Sequence, residues 1–168
     1  MTCGQTPEPP MTDDDIRPGE QRLHLTEPRD AVLRFIGRIR TPWTDRKDCP
    51  RQGKSEGPIC RLVLDPIWTP ALDGIDDYAS IEVLYWLDQS RRDLVTQSPK
   101  SDGRTMGTFS LRSPVRPNPI GTSSVTLLGR ANNVLEVRGL DCLDNTPLLD
   151  IKPNRCTFSP KVSPKGEA

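Results

Sequence analysis

The chain has 168 residues, equal numbers of basic and acidic side chains (23 each), 33% hydrophobic and 5% aromatic residues. That length suits one domain, and the lean apolar content predicts that part of it does not join a core. A net charge of zero argues against a protein that coats nucleic acid by bulk electrostatics.

From Met1 to Asp30 the chain carries five prolines, the run Asp13, Asp14, Asp15 and only scattered apolar residues. Such a composition buries too little surface to offset chain entropy, so 1–30 is expected to be a disordered tail, and 157–168 likewise. The expected folded domain is 31–156. No basic segment followed by an apolar run opens the chain, and no stretch of about 18 apolar residues occurs, which leads to the expectation of a cytoplasmic protein with no membrane partner. Five widely spaced cysteines without a CxxC pair, and the single histidine His24, predict reduced thiols and no metal site.

The first predicted strand is Val32 to Ile39, ended by Thr41 and Pro42. The segment from Arg34 to Lys54 holds seven basic residues against two acidic ones, a candidate phosphate-binding face within a neutral chain. Ile59 to Leu64 and Ile81 to Leu87 read as strands with β-branched and aromatic character, and Pro70 to Tyr78 between them as a helical connector of one or two turns. Arg91 to Arg104 reads as a polar loop. Thr105 to Leu111 reads as a strand, and Val125 to Leu128 with Val134 to Val137 as a hairpin turning at Asn132 and Asn133. Short strands without a long periodic helix predict an all-β fold, a sandwich or barrel.

Two stretches stand out. LRSPVRPNPIGT, residues 111–122, sets Arg112, Arg116 and Asn118 among three prolines that fix φ and remove donors, giving a stiff polar loop. LDCLDNTPLLDIKP, residues 140–153, combines the turn formers Asp141, Asp144, Asn145 and Thr146 with an apolar return through Leu148, Leu149 and Ile151. For Asp141 and Asp144 the residue types alone favour turn capping. No GxGxxG or GxxxxGK[ST] is present, and no histidine is available as a base in the folded part, which excludes doubly wound nucleotide binders and serine triads. The tryptophans Trp43, Trp68 and Trp86 are read as core or interface packing rather than base-stacking platforms.

Together with FIGRIRTPW (35–43) and PRQG (50–53), these strings resemble the TrmO or TsaA-like (VirR-like) family over about Phe35 to Pro153. The resemblance implies a single compact β-barrel that forms a homodimer, binds S-adenosyl-L-methionine and methylates N6 of threonylcarbamoyl-adenosine beside the anticodon of a tRNA. It implies cofactor-binding roles for Gln52, Gly53, Asp88, Gln89, Arg112, Leu140, Asp141, Leu143, Asp144 and Thr146. A sulfonium is a fixed cation and an amino-acid carboxylate a fixed anion, so aspartate and arginine suit the two ends of such a ligand. Asp150 and Lys152 are the candidate catalytic pair, Arg116 and Asn118 candidate substrate contacts, and Arg46, Lys47 and Arg51 candidate RNA contacts. The alternative implied by the same resemblance is a non-catalytic sensor of the cofactor or of RNA. Asn145 stands where the family often has glycine, and Asn154 where an aromatic is usual.

Overall fold

The computed structural model describes residues 16–22, 31–98 and 104–154. They fall into two compact units, one from residues within Met1–Thr26 and Arg91–Pro117, the other from residues within Glu27–Ser90 and Asn118–Ala168.

The second unit is a closed barrel of six strands in the order β2-β3-β8-β7-β4-β9: β2 Gly37–Arg40, β3 Cys60–Leu64, β8 Val134–Arg138, β7 Ile120–Ala131, β4 Ser80–Trp86 and β9 Pro147–Pro153. Every pairing is antiparallel, and closure leaves no open sheet edge. The cause is a period-2 pattern: Ile39, Leu62, Ile81, Val83, Leu135, Val137 and Leu148 point inward and are fully buried, while Arg38, Arg40, Arg61, Glu82 and Thr122 alternate outward. Trp43 and Trp68 pack against this core, as the sequence predicts.

Because neighbouring strands alternate in direction, one barrel end collects the exits of β2, β4 and β8 and the entries of β3, β7 and β9. The β2–β3 loop, the Asp88–Gln89 turn and the β8–β9 loop therefore gather at that end. At the other end lie the 3-10 helices Pro66–Leu72 and Ile75–Asp77 and the tight β7–β8 turn. There Asn132 takes a left-handed φ of 54°, which asparagine tolerates.

The strands differ from expectation mainly at their limits. In place of the predicted Val32 to Ile39 the strand is Gly37–Arg40; Val32, Leu33 and Phe35 are exposed and lie outside its ladder. β7 runs much longer than Val125 to Leu128. Its outward positions include Thr122, Ser124 and Thr126, polar residues that a half-solvated strand accepts.

The first unit holds a three-stranded sheet, β1 Gln21–Arg22, β5 Leu94–Gln97 and β6 Met106–Gly107, in the order β1-β5-β6. Neither β1 nor β5 is legible in the sequence: β1 falls in the stretch read as a tail, and β5 in the stretch read as a polar loop. Polar pairing explains both. Gln21 N donates to Thr96 Oγ1 at 2.8 Å, and Arg22 Nε lies 2.7 Å from Asp93 Oδ2. Inside this unit the buried Gln97 donates through Nε2 to Thr108 Oγ1 at 2.9 Å and to the Val115 carbonyl at 2.7 Å. Thr105 to Leu111, read as a strand, is β6 followed by a 3-10 turn at Thr108–Ser110. Much of the tail segments and of the Ser98 to Arg104 loop lies outside the described residues.

Candidate functional site

Asp141 is the centre of the barrel-end site. Tyr85, inward on β4, donates its hydroxyl to Asp141 Oδ1 at 2.7 Å and lies 2.8 Å from Ser123 Oγ. Ser123, inward on β7, also reaches Asp141 Oδ1, at 3.2 Å. Both Tyr85 and Ser123 are buried. No hydrogen bond among the described residues engages Oδ2, so one oxygen of a half-buried carboxylate is held while the other retains acceptor capacity. Burial, and next the Asp141 carboxylate, push the Tyr85 phenol well above the ordinary tyrosine value, keeping it a neutral donor.

The Tyr85 ring has its place because its cross-strand partner is Gly121. A Cβ there would meet the ring at 2.1 Å, so no larger residue fits beneath it.

The β2–β3 loop is tied directly to Asp141 and its neighbours. Cys49 Sγ donates to the Asp141 carbonyl at 3.0 Å, and the Asp144 amide donates to the Trp43 carbonyl at 2.7 Å. A Cβ on Gly53 would lie 1.8 Å from the Gly139 carbonyl oxygen, and Gly139 itself has φ of 111°. Gly53 is thereby brought against the residue before the Leu140–Thr146 loop, and Gln52 beside it is exposed. Asp88 and Gln89 form an exposed turn three and four residues beyond Tyr85, closed by Ser90 N donating to the Leu87 carbonyl at 3.0 Å.

Asp144 behaves differently from Asp141. Its Oδ1 accepts from Thr41 N at 3.0 Å and its Oδ2 from Arg40 at 3.4 Å, so both oxygens brace the exit of β2. Asn145 sits at φ of 65°, the left-handed conformation for which glycine is the usual choice. Leu140 and Thr146 are buried. Thr146 Oγ1 donates to the Leu143 carbonyl at 2.7 Å, closing the turn. Burial also pushes the Cys142 thiol up strongly and the Cys60 thiol to about 11; Cys49, Cys60 and Cys142 are all free.

Asp150 and Lys152 pair in register with Leu84 and Glu82, on the opposite sheet face from Tyr85, and form an ion pair with each other. Donating to the Asp150 carboxylate pushes the pKa of the Lys152 ammonium up. Arg112 is exposed and belongs to the first unit. Arg116, in the same unit, donates through Nη1 to the carbonyls of Leu111 at 3.2 Å and Ser113 at 3.0 Å, satisfying oxygens that proline-rich neighbours leave without donors. Asn118 is exposed at the entry to β7, where its carbonyl accepts from Ile120 N at 2.8 Å. Arg46, Lys47 and Arg51 are exposed on the β2–β3 loop. Tyr85 and Ser123 escape sequence reasoning because each looks like an inward strand residue, and only the register brings them to Asp141. Among the described residues no group of three or more His, Cys, Asp and Glu could hold a metal, and no described helix is long and apolar enough to cross a membrane.

Residues 38–158 match the family model described as the tRNA-methyltransferase O N-terminal domain. The chain belongs to this family. It is 53% identical over 145 residues to a probable S-adenosyl-L-methionine-binding protein VirR from Rhizobium radiobacter, covering 86% of this chain and 83% of that one. It is 32% identical over 129 residues to the tRNA (adenine(37)-N6)-methyltransferase of Escherichia coli, covering 70% of this chain and 55% of the relative. A crystal structure of TrmO from Pseudomonas aeruginosa superposes with a TM-score of 0.63 at 32% identity, over 77% of this chain and 56% of that one. The chain thus spans just over half the length of these last two relatives. The six-stranded barrel is the fold expected of a TrmO-family domain, and the matched span contains the whole Tyr85, Ser123 and Asp141 network.

Proposed function

We propose that this protein binds S-adenosyl-L-methionine at the barrel end around Asp141 and methylates N6 of threonylcarbamoyl-adenosine next to the anticodon of a tRNA. The observation that carries the proposal is the half-engaged Asp141 carboxylate. Two buried hydroxyls fix Oδ1, which orients Oδ2 without neutralising the charge, a fit for a cationic ligand. When bound, the cofactor supplies a methyl group on a sulfonium, electrophilic and permanently charged. The chain's own residues bind and orient it: Gln52 and Gly53, Asp88 and Gln89, and the loop of Leu140, Asp141, Leu143, Asp144 and Thr146. Leu140 and Thr146 are buried, so a ligand would meet their backbone, and Asp144 acts by holding the loop's shape. Arg112 has a cofactor-binding role through the resemblance alone. Arg46, Lys47 and Arg51 are assigned to tRNA contact.

Positioning a nucleophile in line with a bound methyl group supplies a large part of such a rate, up to roughly 7 to 11 kcal/mol in ideal systems. Within one chain Asp150 and Lys152 face away from Asp141, so the proposal gives them no proton transfer, and the N6 proton passes to water. The proposal includes a homodimer working in the cytoplasm, and sedimentation tests the first of these.

A second reading, a non-catalytic binder of S-adenosyl-L-methionine, is favoured by one observation: the Rhizobium relative, 53% identical, is named for cofactor binding alone. Calorimetry with S-adenosyl-L-methionine followed by nucleoside mass spectrometry of tRNA from cells lacking the protein separates the two. Binding with loss of the methylated nucleoside supports the enzyme, and binding with an unchanged nucleoside profile supports the binder.

A further inference from the structure

The outer wall of the β2–β3 hairpin presents arginines in an arrangement that the barrel itself does not require. Arg40 on β2 and Arg61 on β3 are direct cross-strand partners. Their Cβ atoms are therefore only about 4.5 to 5.5 Å apart, and like charges so placed repel. Each leans away to a different acid. Arg40 lies 3.4 Å from Asp144, and Arg61 lies 3.0 Å from Glu136 on β8. Both arginine side chains remain more than half exposed, 52% and 61%, so neither acid uses up the donors of its guanidinium.

Arg38 stands on the same outer face two residues before Arg40, about 7 Å along the strand. Its guanidinium lies 5.8 Å from the centre of the Phe35 ring, and Phe35 is itself exposed. A planar cation beside an exposed aromatic ring is a stacking surface for a base. The β2–β3 loop continues the same charge. From Arg34 to Arg61 there are eight basic residues against three acidic, a local net of +5 in a chain whose total is zero.

We infer that this outer wall is a binding surface for an RNA backbone, with Arg40 and Arg61 sharing one phosphate and Arg38 with Phe35 engaging the neighbouring nucleotide. A phosphate bridging the two guanidiniums turns their repulsion into two charge-assisted contacts, which an uncharged partner cannot do. The inference rests on the proposed tRNA substrate and specifies a surface for it. It adds Arg61 and Arg40, which strand register brings together, to the contacts expected from the basic loop.

The test uses the full chain and a tRNA transcript, with affinity read by fluorescence anisotropy across a salt series. The Arg40→Gln/Arg61→Gln double variant is expected to bind at least tenfold more weakly, with a log-log salt slope reduced by about 1 to 2. The Arg40→Lys/Arg61→Lys variant, which keeps both charges, is expected to keep most of the slope. Arg61→Gln alone, which touches no residue of the cofactor loop, is expected to lower RNA affinity while leaving calorimetric S-adenosyl-L-methionine binding within twofold. Unchanged affinity and slope in the double glutamine variant would overturn the inference. So would tight binding of anionic phospholipid vesicles through the same arginines with none to tRNA. RNA binding lost in these variants of a protein that transfers no methyl group would sustain the surface while removing the proposed reaction. Cofactor binding without any RNA binding would overturn both the surface and the tRNA reaction and leave the cofactor-binder reading.

Discussion

The Tyr85 hydroxyl lies 2.7 Å from Asp141 Oδ1, joining the inner wall of the barrel to the loop between β8 and β9. Removing that hydroxyl leaves an oxygen of a half-buried carboxylate with one weaker donor, Ser123. The Tyr85→Phe variant keeps the ring over Gly121 and should lose about 1 to 3 kcal/mol of stability, read by urea unfolding. Its affinity for S-adenosyl-L-methionine should fall more than its affinity for the thioether product, whose sulfur carries no charge, since the change acts on the orientation of a carboxylate. Equal losses for both ligands would mean that Asp141 does not face the sulfonium.

The same pair sets an alkaline limit. In the fold the neutral phenol is favoured by burial and by Asp141, while the unfolded chain releases the proton near the ordinary value of about 10. A raised folded value means stability that is complete below about pH 10 and declines as pH rises past it. The difference in unfolding midpoint between wild type and Tyr85→Phe should therefore shrink above that pH. Phenolate absorbance from Tyr85 should appear only as the protein unfolds.

Gly53 packs on the backbone of Gly139, where an added Cβ would overlap the carbonyl oxygen. Gly53→Ala must displace the β2–β3 loop, and overpacking of this kind costs about 1 to 3 kcal/mol. Thermal unfolding should show the loss. Calorimetry should show weakened cofactor binding because the loop no longer supports Asp141.

Asn145 occupies a left-handed conformation at φ of 65°. Asn145→Gly should be tolerated, with stability within about 0.5 kcal/mol of wild type, whereas Asn145→Val should cost about 1 to 2 kcal/mol. Chemical denaturation of the two variants distinguishes this backbone requirement from any role of the amide group, since loss of an essential amide would make both equally poor.

The barrel was legible where β-branched and aromatic residues cluster. Ile81 to Leu87 and Val134 to Val137 have that character, and Asn132 and Asn133 mark the turn from β7 into β8, so these elements fall close to their expected places. β1 and β5 were not legible because their pairing depends on side chains far apart in sequence, such as Arg22 with Asp93. For the candidate site, the LDCLDNTP string singled out the loop that carries both aspartates, but it could not tell Asp141 from Asp144. That distinction comes from tertiary partners: Asp144 is consumed by Thr41 and Arg40, and Asp141 keeps an oxygen open. Asp150 and Lys152 illustrate the converse, since their polarity suggested chemistry while strand register turns them away from Tyr85.

The most direct test of the proposed function is transfer of an isotopically labelled methyl group from S-adenosyl-L-methionine to tRNA by the purified protein, followed by nucleoside mass spectrometry. Label is expected on N6 of threonylcarbamoyl-adenosine, reduced by at least tenfold in Asp141→Asn. An unlabelled nucleoside pool from protein that demonstrably binds the cofactor and the tRNA would contradict it.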